Sequence, residues 1–130
     1  MRQILLFAAL AASLALLSGC ALSKTKADTA EDMAGKAAYQ KISAEEAYEM
    51  MASQEVMVVD VRTREEYDGG HIENAVLVPN ESIGSETPEA LPDKEATLLV
   101  YCRSGRRSKD AAQKLLALGY QSVYDFGGVI

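Results

Sequence analysis

Residues 98–109 read Leu-Leu-Val-Tyr-Cys-Arg-Ser-Gly-Arg-Arg-Ser-Lys, an apolar run that ends in a cysteine and passes through a short basic loop into a helix. Leu98, Leu99, Val100 and Tyr101 predict a strand buried on both faces, because a short continuous apolar run with β-branched and aromatic residues suits a parallel sheet covered by helices. Cys102 then stands at the strand's carboxyl end. Beyond it, Ser108 is the predicted cap of a helix in which Ala111, Ala112, Leu115, Leu116 and Leu118 recur at helical spacing, and Gly119 supplies the left-handed stop. In open α/β sheets ligands bind beyond the carboxyl ends of the strands, and a helix amino terminus offers unpaired N–H groups to an anion. Residues 101–109 carry four cations (Arg103, Arg106, Arg107, Lys109) and no acid, in a chain of formal net charge -6. This local reversal of sign predicts a lowered thiol pKa and a nucleophilic Cys102 thiolate. A buried, inert cysteine followed by a solvated run of charge is the alternative.

Cys102-Arg-Ser-Gly-Arg-Arg-Ser108 resembles the active-site loop of single-domain rhodanese-family sulfurtransferases. Four further segments match that family in order and spacing: Asp60-Val61-Arg62, Glu65-Glu66-Tyr67, Gly70-His71-Ile72-Glu73-Asn74-Ala75 and Tyr124-Asp125-Phe126-Gly127-Gly128. The resemblance covers residues 39–130 and implies one α/β domain, with a central, mostly parallel sheet of about five strands and helices on both faces. It also implies a sulfurtransferase that moves sulfane sulfur from an anionic donor such as thiosulfate to a thiol or cyanide, through a persulfide on Cys102. In that reading Arg103, Ser104, Gly105, Arg106, Arg107 and Ser108 form the substrate loop. Their backbone N–H groups converge on the sulfur, and Gly105 permits the curl through a positive φ. Arg107, at the loop's closure, is the best candidate to point inward and hold the donor's oxyanion. Two alternatives stay open. One is a persulfide carrier or binding module without turnover; the other is a cysteine phosphatase or arsenate reductase, whose Cys-x5-Arg loop is one residue longer than the span from Cys102 to Arg107.

The amino terminus has a separate logic. Met1-Arg2-Gln3 carries one positive charge, Ile4 to Leu17 is apolar apart from Ser13, and Leu17-Ser18-Gly19-Cys20 follows. The apolar segment is short for a membrane span and right for a signal sequence. Leu-Ser-Gly-Cys resembles the lipobox of bacterial lipoproteins, which implies cleavage after residue 19 and lipid on Cys20. An ordinary secretory signal or an uncleaved anchor is the alternative. On the lipoprotein reading, residues 20–38 form a small, polar tether, and several acyl chains anchor the domain stably. The expected location is the cell envelope, facing the periplasm from the outer membrane in a Gram-negative host, because Ala21 rather than Asp follows the lipidated cysteine. Removing residues 1–19 takes away one basic side chain, Arg2, and leaves a formal charge of -7, which argues against nucleic acid and against electrostatic adhesion to anionic lipid. The membrane contact is then the lipid alone, and a monomer is expected. With Cys20 acylated, Cys102 is the one free thiol in an oxidising compartment, which suits a reactive residue.

The remaining segments fit the same domain. Tyr39–Ile42, Val56–Val61, Val76–Val78 and Gln121–Tyr124 are predicted strands, and Ser43 with Glu46 and Thr63 with Glu66 are predicted capping boxes. Asp60 and Arg62, at a strand's carboxyl end, are read either as active-site wall or as framework. The resemblance implies that Arg62 pairs with Glu66. His71 is the only histidine, so no multi-histidine metal site is available, and neither metal nor cofactor is expected. A general-base role for His71 is weighed and set aside, since the resemblance implies a framework hydrogen bond. Residues 80–95, with five acids and two prolines, read as a polar loop with a short helix. The resemblance further implies a tryptophan and a terminal helix after Gly128. The sequence holds no tryptophan and runs to Ile130, so a short form and a truncation that opens one pocket wall both stay open.

Overall fold

Strands and helices alternate over residues 37–129, the part of the chain described by this computed structural model. The expected signal segment, Cys20 and the expected tether as far as residue 36 lie outside the described residues, as does Ile130. β1 (Gln40–Lys41) leads into α1 (Ala44–Ser53), and β2 (Met57–Asp60) into α2 (Arg64–Asp68). β3 (Val76–Leu77) continues through a 3-10 turn (Asn80–Ser82) and an extended connection to β4 (Thr97–Cys102). α3 (Arg106–Ala117) and β5 (Ser122–Gly128) follow.

The sheet order is β1-β5-β4-β2-β3, and every pairing is parallel. The apolar run of β4 explains its central place, because it has something to bury on each face. Leu98, Val100 and Cys102 face a core that includes Ala111, Ala112 and Leu115 of α3. Leu99 and Tyr101 face the other side, with Ala47 of α1, Phe126 of β5 and the half-buried Tyr67 of α2. Helices therefore cover both faces, as the resemblance implies. Leu98, Leu99 and Leu115 are fully buried, and each such side chain contributes about 1.5–3 kcal/mol.

Both predicted capping boxes form. Ser43 Oγ accepts from the Glu46 N–H at 3.1 Å while the Glu46 carboxylate accepts from the Ser43 N–H at 2.7 Å, and Thr63 with Glu66 repeats the arrangement at 3.3 and 2.9 Å. α3 departs from expectation. Its cap is Gly105, at φ 94°, and Ser108 sits inside the first turn with its hydroxyl donating to the Gly105 carbonyl at 3.1 Å. A left-handed residue lets the chain enter the helix directly from the loop, and glycine adopts it without a Cβ penalty. β5 is also longer than the predicted Gln121–Tyr124. It continues through Gly127-Gly128 by means of a bulge, in which Val100 pairs with Asp125 and Tyr101 with Gly127, leaving Phe126 as the extra residue.

Arg62 does not pair with Glu66. Its Nε and Nη2 donate to the buried Asp60 carboxylate at 3.0 and 2.6 Å, and Nη2 also donates to the Gly70 carbonyl at 2.7 Å. The Tyr101 hydroxyl donates to the same carboxylate at 2.6 Å and accepts from the Ile72 N–H at 3.1 Å. A carboxylate fully removed from water must be paired, and the arginine two residues on is the nearest cation. Burial by itself pushes the Asp60 carboxyl up, and the donors from Arg62 and Tyr101 bring it below its ordinary value. Tyr101→Phe strips this network of a donor to Asp60 and of the acceptor for Ile72. We expect it to lower unfolding free energy by about 1–3 kcal/mol in urea titrations, with the sheet retained in circular dichroism.

Candidate active site

The connection leaving β2 passes through α2 on one face of the sheet towards β3, and the connection leaving β4 passes through α3 on the other face towards β5. Beyond the carboxyl ends of β2 and β4 the chain thus parts in two directions, which opens the crevice where α/β sheets bind ligands. Cys102 is the last residue of β4, and the loop Arg103–Gly105 turns directly into α3.

The first turn of a helix has no intrahelical acceptors for its N–H groups, and here they turn back on the cysteine. The Gly105 N–H donates to Cys102 Sγ at 3.0 Å. Burial by itself would push the thiol up, and hydrogen bonds from the Ser108 hydroxyl and from the N–H groups of Ser108, Gly105 and Ser104 outweigh it, so the thiol lies below its ordinary value. The single proton of the Ser108 hydroxyl goes to the Gly105 carbonyl in this structure, and a Cys102 thiolate is the competing acceptor for it. Hydrogen-bond donors are the chief causes that lower the thiol, and the Arg107 cation acts on it electrostatically as well. Arg103, Ser104 and Arg106 are exposed, Gly105 and Arg107 are half-buried, and Ser108 is buried beneath the loop.

Arg107 is engaged by Glu66 while still acting electrostatically on Cys102. Its Nη1 and Nη2 donate to the two oxygens of Glu66 at 2.7 and 2.9 Å, a forked pair that bridges α3 and α2 across the crevice. Asp60 is framework: it binds Tyr101, which points to the sheet face opposite Cys102. Arg62 is framework through Asp60 and also borders the site. With Glu65, Glu66, Gly69, Gly70, Arg103 and Val129 it lines a shallow depression of about 290 Å³ beside the loop. A larger hollow of about 370 Å³ lies at the amino-terminal ends of β2 and β4, lined by Glu55, Met57, Asp93 and Thr97, at the pole remote from Cys102. His71 is exposed, stacks on the Tyr67 ring at 3.6 Å between centroids, and holds Nδ1 2.9 Å from the Tyr67 carbonyl. Its contacts tie the turn after α2. Among the described residues no group of three His, Cys, Asp or Glu side chains could hold a metal ion.

The supporting role of Gly128 was not readable from its sequence neighbours. Its Cα partner in the sheet is Cys102, and a Cβ built on it would lie 2.8 Å from Ser104 Cα and closer still to the Arg103 carbonyl oxygen. The loop therefore rests on bare backbone. Asp125 holds that shelf in place by accepting from the Gly127 N–H at 2.8 Å, and Tyr39 holds Asp125 in turn at 2.6 Å. The Tyr-Asp-Phe-Gly-Gly segment carried the signal, though not the geometry.

A buried sulfur at the carboxyl end of a parallel strand, accepting from the Gly105 N–H at the cap of the following helix, defines an anion-stabilising α/β active site. The chain belongs to the rhodanese-like family, whose domain model matches residues 43–129. It is similar to a human single-domain sulfurtransferase at 26% identity and TM-score 0.61, over 69% of this chain and 90% of that one. It is also similar to a rhodanese from E. coli (35%, TM-score 0.53, 57% and 87%) and to a rhodanese-like domain protein from Staphylococcus aureus (33%, TM-score 0.58, 68% and 86%). Among curated relatives, the tRNA uridine(34) hydroxylases of Hamiltonella defensa and Yersinia pestis are 35% and 33% identical over 70% and 68% of this chain. The matched part is 27% and 26% of their length.

Two outcomes follow for the site. Alkylation of Cys102 by iodoacetamide, followed against pH, should show a midpoint below that of a free cysteine at about 8.5, and Ser108→Ala should move it up. The Glu66 carboxyl falls from 4.5 to about 2, chiefly through Arg107 and then the Thr63 N–H. A carboxyl lowered by folding contributes stability above its unfolded pKa, and that contribution is lost as pH falls through the folded value. Urea midpoints should therefore drop between about pH 5 and about pH 2, and less steeply in Arg107→Gln.

Proposed function

We propose that the chain is a sulfurtransferase that carries sulfane sulfur on Cys102 as a persulfide. The observation that carries this reading is the Gly105 N–H donating to Cys102 Sγ, with the Ser104 and Ser108 N–H groups also lowering the thiol, which stabilises a sulfur anion without a proton carrier. In the first step the Cys102 thiolate attacks the outer sulfur of an anionic donor such as thiosulfate. The new S–S bond forms as the donor's own S–S bond breaks, and sulfite leaves with the electron pair. In the second step a thiol or cyanide attacks the terminal sulfur, and the Cys102 thiolate departs as leaving group. The anion is handled at each stage by the same cradle.

A phosphatase or arsenate reductase needs a guanidinium turned onto a tetrahedral oxyanion. The short span from Cys102 to Arg107 and the engagement of both Arg107 terminal nitrogens by Glu66 support sulfur transfer over those reactions. Hydroxylation, named for the Hamiltonella and Yersinia relatives, is not carried over, because this chain matches about a quarter of their length. The proposal includes lipid on Cys20 as the membrane anchor and a position at the cell envelope, supported by Leu-Ser-Gly-Cys at residues 17–20.

Intact mass spectrometry of the reduced chain after thiosulfate is the test. A gain of about 32 Da, discharged by cyanide and lacking in Cys102→Ser, is the expected result. A folded, reduced sample that gains no sulfur from thiosulfate would sink thiosulfate transfer.

A further inference from the structure

The loop that reads as strongly cationic in sequence presents its site with little free positive charge. Arg103 and Arg106 stand in solvent, where water and salt screen them. Arg107 is the arginine of the loop that is sheltered, with its side chain 18% exposed, and Glu66, 25% exposed, meets it in the forked pair. Cys102 and, more weakly, Glu81 act on the same guanidinium, and Glu65 lines the adjoining depression. Glu66 is held from behind, because its carboxylate also accepts the Thr63 N–H at 2.9 Å and caps α2. It cannot swing away from Arg107 without uncapping that helix.

We propose that Glu66 is a specificity-determining residue that sets the charge of the sulfur donor: by occupying both terminal nitrogens of Arg107 it leaves the Cys102 cradle to backbone N–H groups, which favours singly charged donors over dianions. This rests on the sulfur-transfer reading of Cys102. A dianion entering the cradle finds the forked guanidinium already matched by Glu66, so it gains no charge-assisted pair for its second charge. A monoanion, such as an organic persulfide or thiosulfonate, asks for one negative charge to be stabilised and receives it from N–H donors. Thiosulfate accordingly loads Cys102 more slowly than a monoanion does, and the preferred class carries its sulfane sulfur on an organic group.

Methanethiosulfonate ion and thiosulfate make the comparison, since both deliver a terminal sulfur to Cys102 as an S–S bond breaks, with methanesulfinate or sulfite leaving, and they differ by one charge. Wild type should load faster from methanethiosulfonate. Glu66→Gln keeps an oxygen for the Thr63 N–H, and should improve KM for thiosulfate by about tenfold, the worth of one charge-assisted contact, while changing methanethiosulfonate by less than about threefold. In an Arg107→Gln background the Glu66→Gln change should have no further effect. Cradle occupancy is read separately by protection of Cys102 from iodoacetamide, with sulfate against methanesulfonate, which needs no sulfur transfer. Equal protection by the two ions in wild type, an unaltered preference in Glu66→Gln, or the same Glu66 effect without Arg107 would each overturn the proposal.

Discussion

A negative charge on a buried sulfur can exist only where donors replace the water it has lost. In this domain the donors are the backbone N–H groups of the turn that joins β4 to α3, and the rest of the structure is arranged so that this turn has one shape. β4 must be central and apolar on both faces for its end to be fixed. Gly105 must take a left-handed conformation for the helix to begin at once, so that its unpaired N–H groups face back towards Cys102. Gly128 must lack a side chain so that the loop can lie against β5. Each is a constraint on backbone position, and none of them adds a charged group to the site.

The charged groups are organised differently. Two arginine–carboxylate pairs flank the crevice, Arg62 with Asp60 below the sheet's end and Arg107 with Glu66 across its mouth. The first is buried and tied to Tyr101, which neighbours Cys102 in sequence and points to the opposite face. It fixes where the strand ends. The second joins the helices that follow the two strands, and so holds the crevice at one width. The second pair engages the one arginine, Arg107, that the sequence assigns to the donor's oxyanion.

What could be read from the sequence was whatever is encoded locally. Strand β4, the capping boxes at Ser43 and Thr63, the stop at Gly119 and the place of Cys102 at a strand end depend on neighbours a few residues apart. The parallel sheet followed from the resemblance and from the apolar runs. The pairing of charges was not legible, because Arg62 has Asp60 two residues before it and Glu66 four residues after, and only the burial of Asp60 decides between them. The positive φ expected of Gly105 is present, but that it makes Gly105 the cap in place of Ser108 depends on where the helix begins, which residue type does not settle. Gly127-Gly128 lies beyond the predicted strand Gln121–Tyr124, whereas a bulge at Phe126 keeps the strand going to meet the loop. The resemblance implies that backbone N–H groups converge on Cys102, and the Gly105 N–H does so, but which N–H groups point at the sulfur is a matter of backbone direction that a sequence does not display.

The pairing of β1 with β5 has a consequence for how the domain forms. The Lys41–Asp125 contact spans 84 positions, and β4, the middle strand, lacks one of its two neighbours until β5 is available. Such non-local pairing postpones the entropic return on ordering the chain until late. A chain emerging amino end first, from a ribosome or through a narrow pore, holds its central strand half-paired until residues 122–128 arrive. The thiolate cradle is thus among the last parts of the domain to be assembled, and a partly emerged chain carries Cys102 as an ordinary, unactivated thiol.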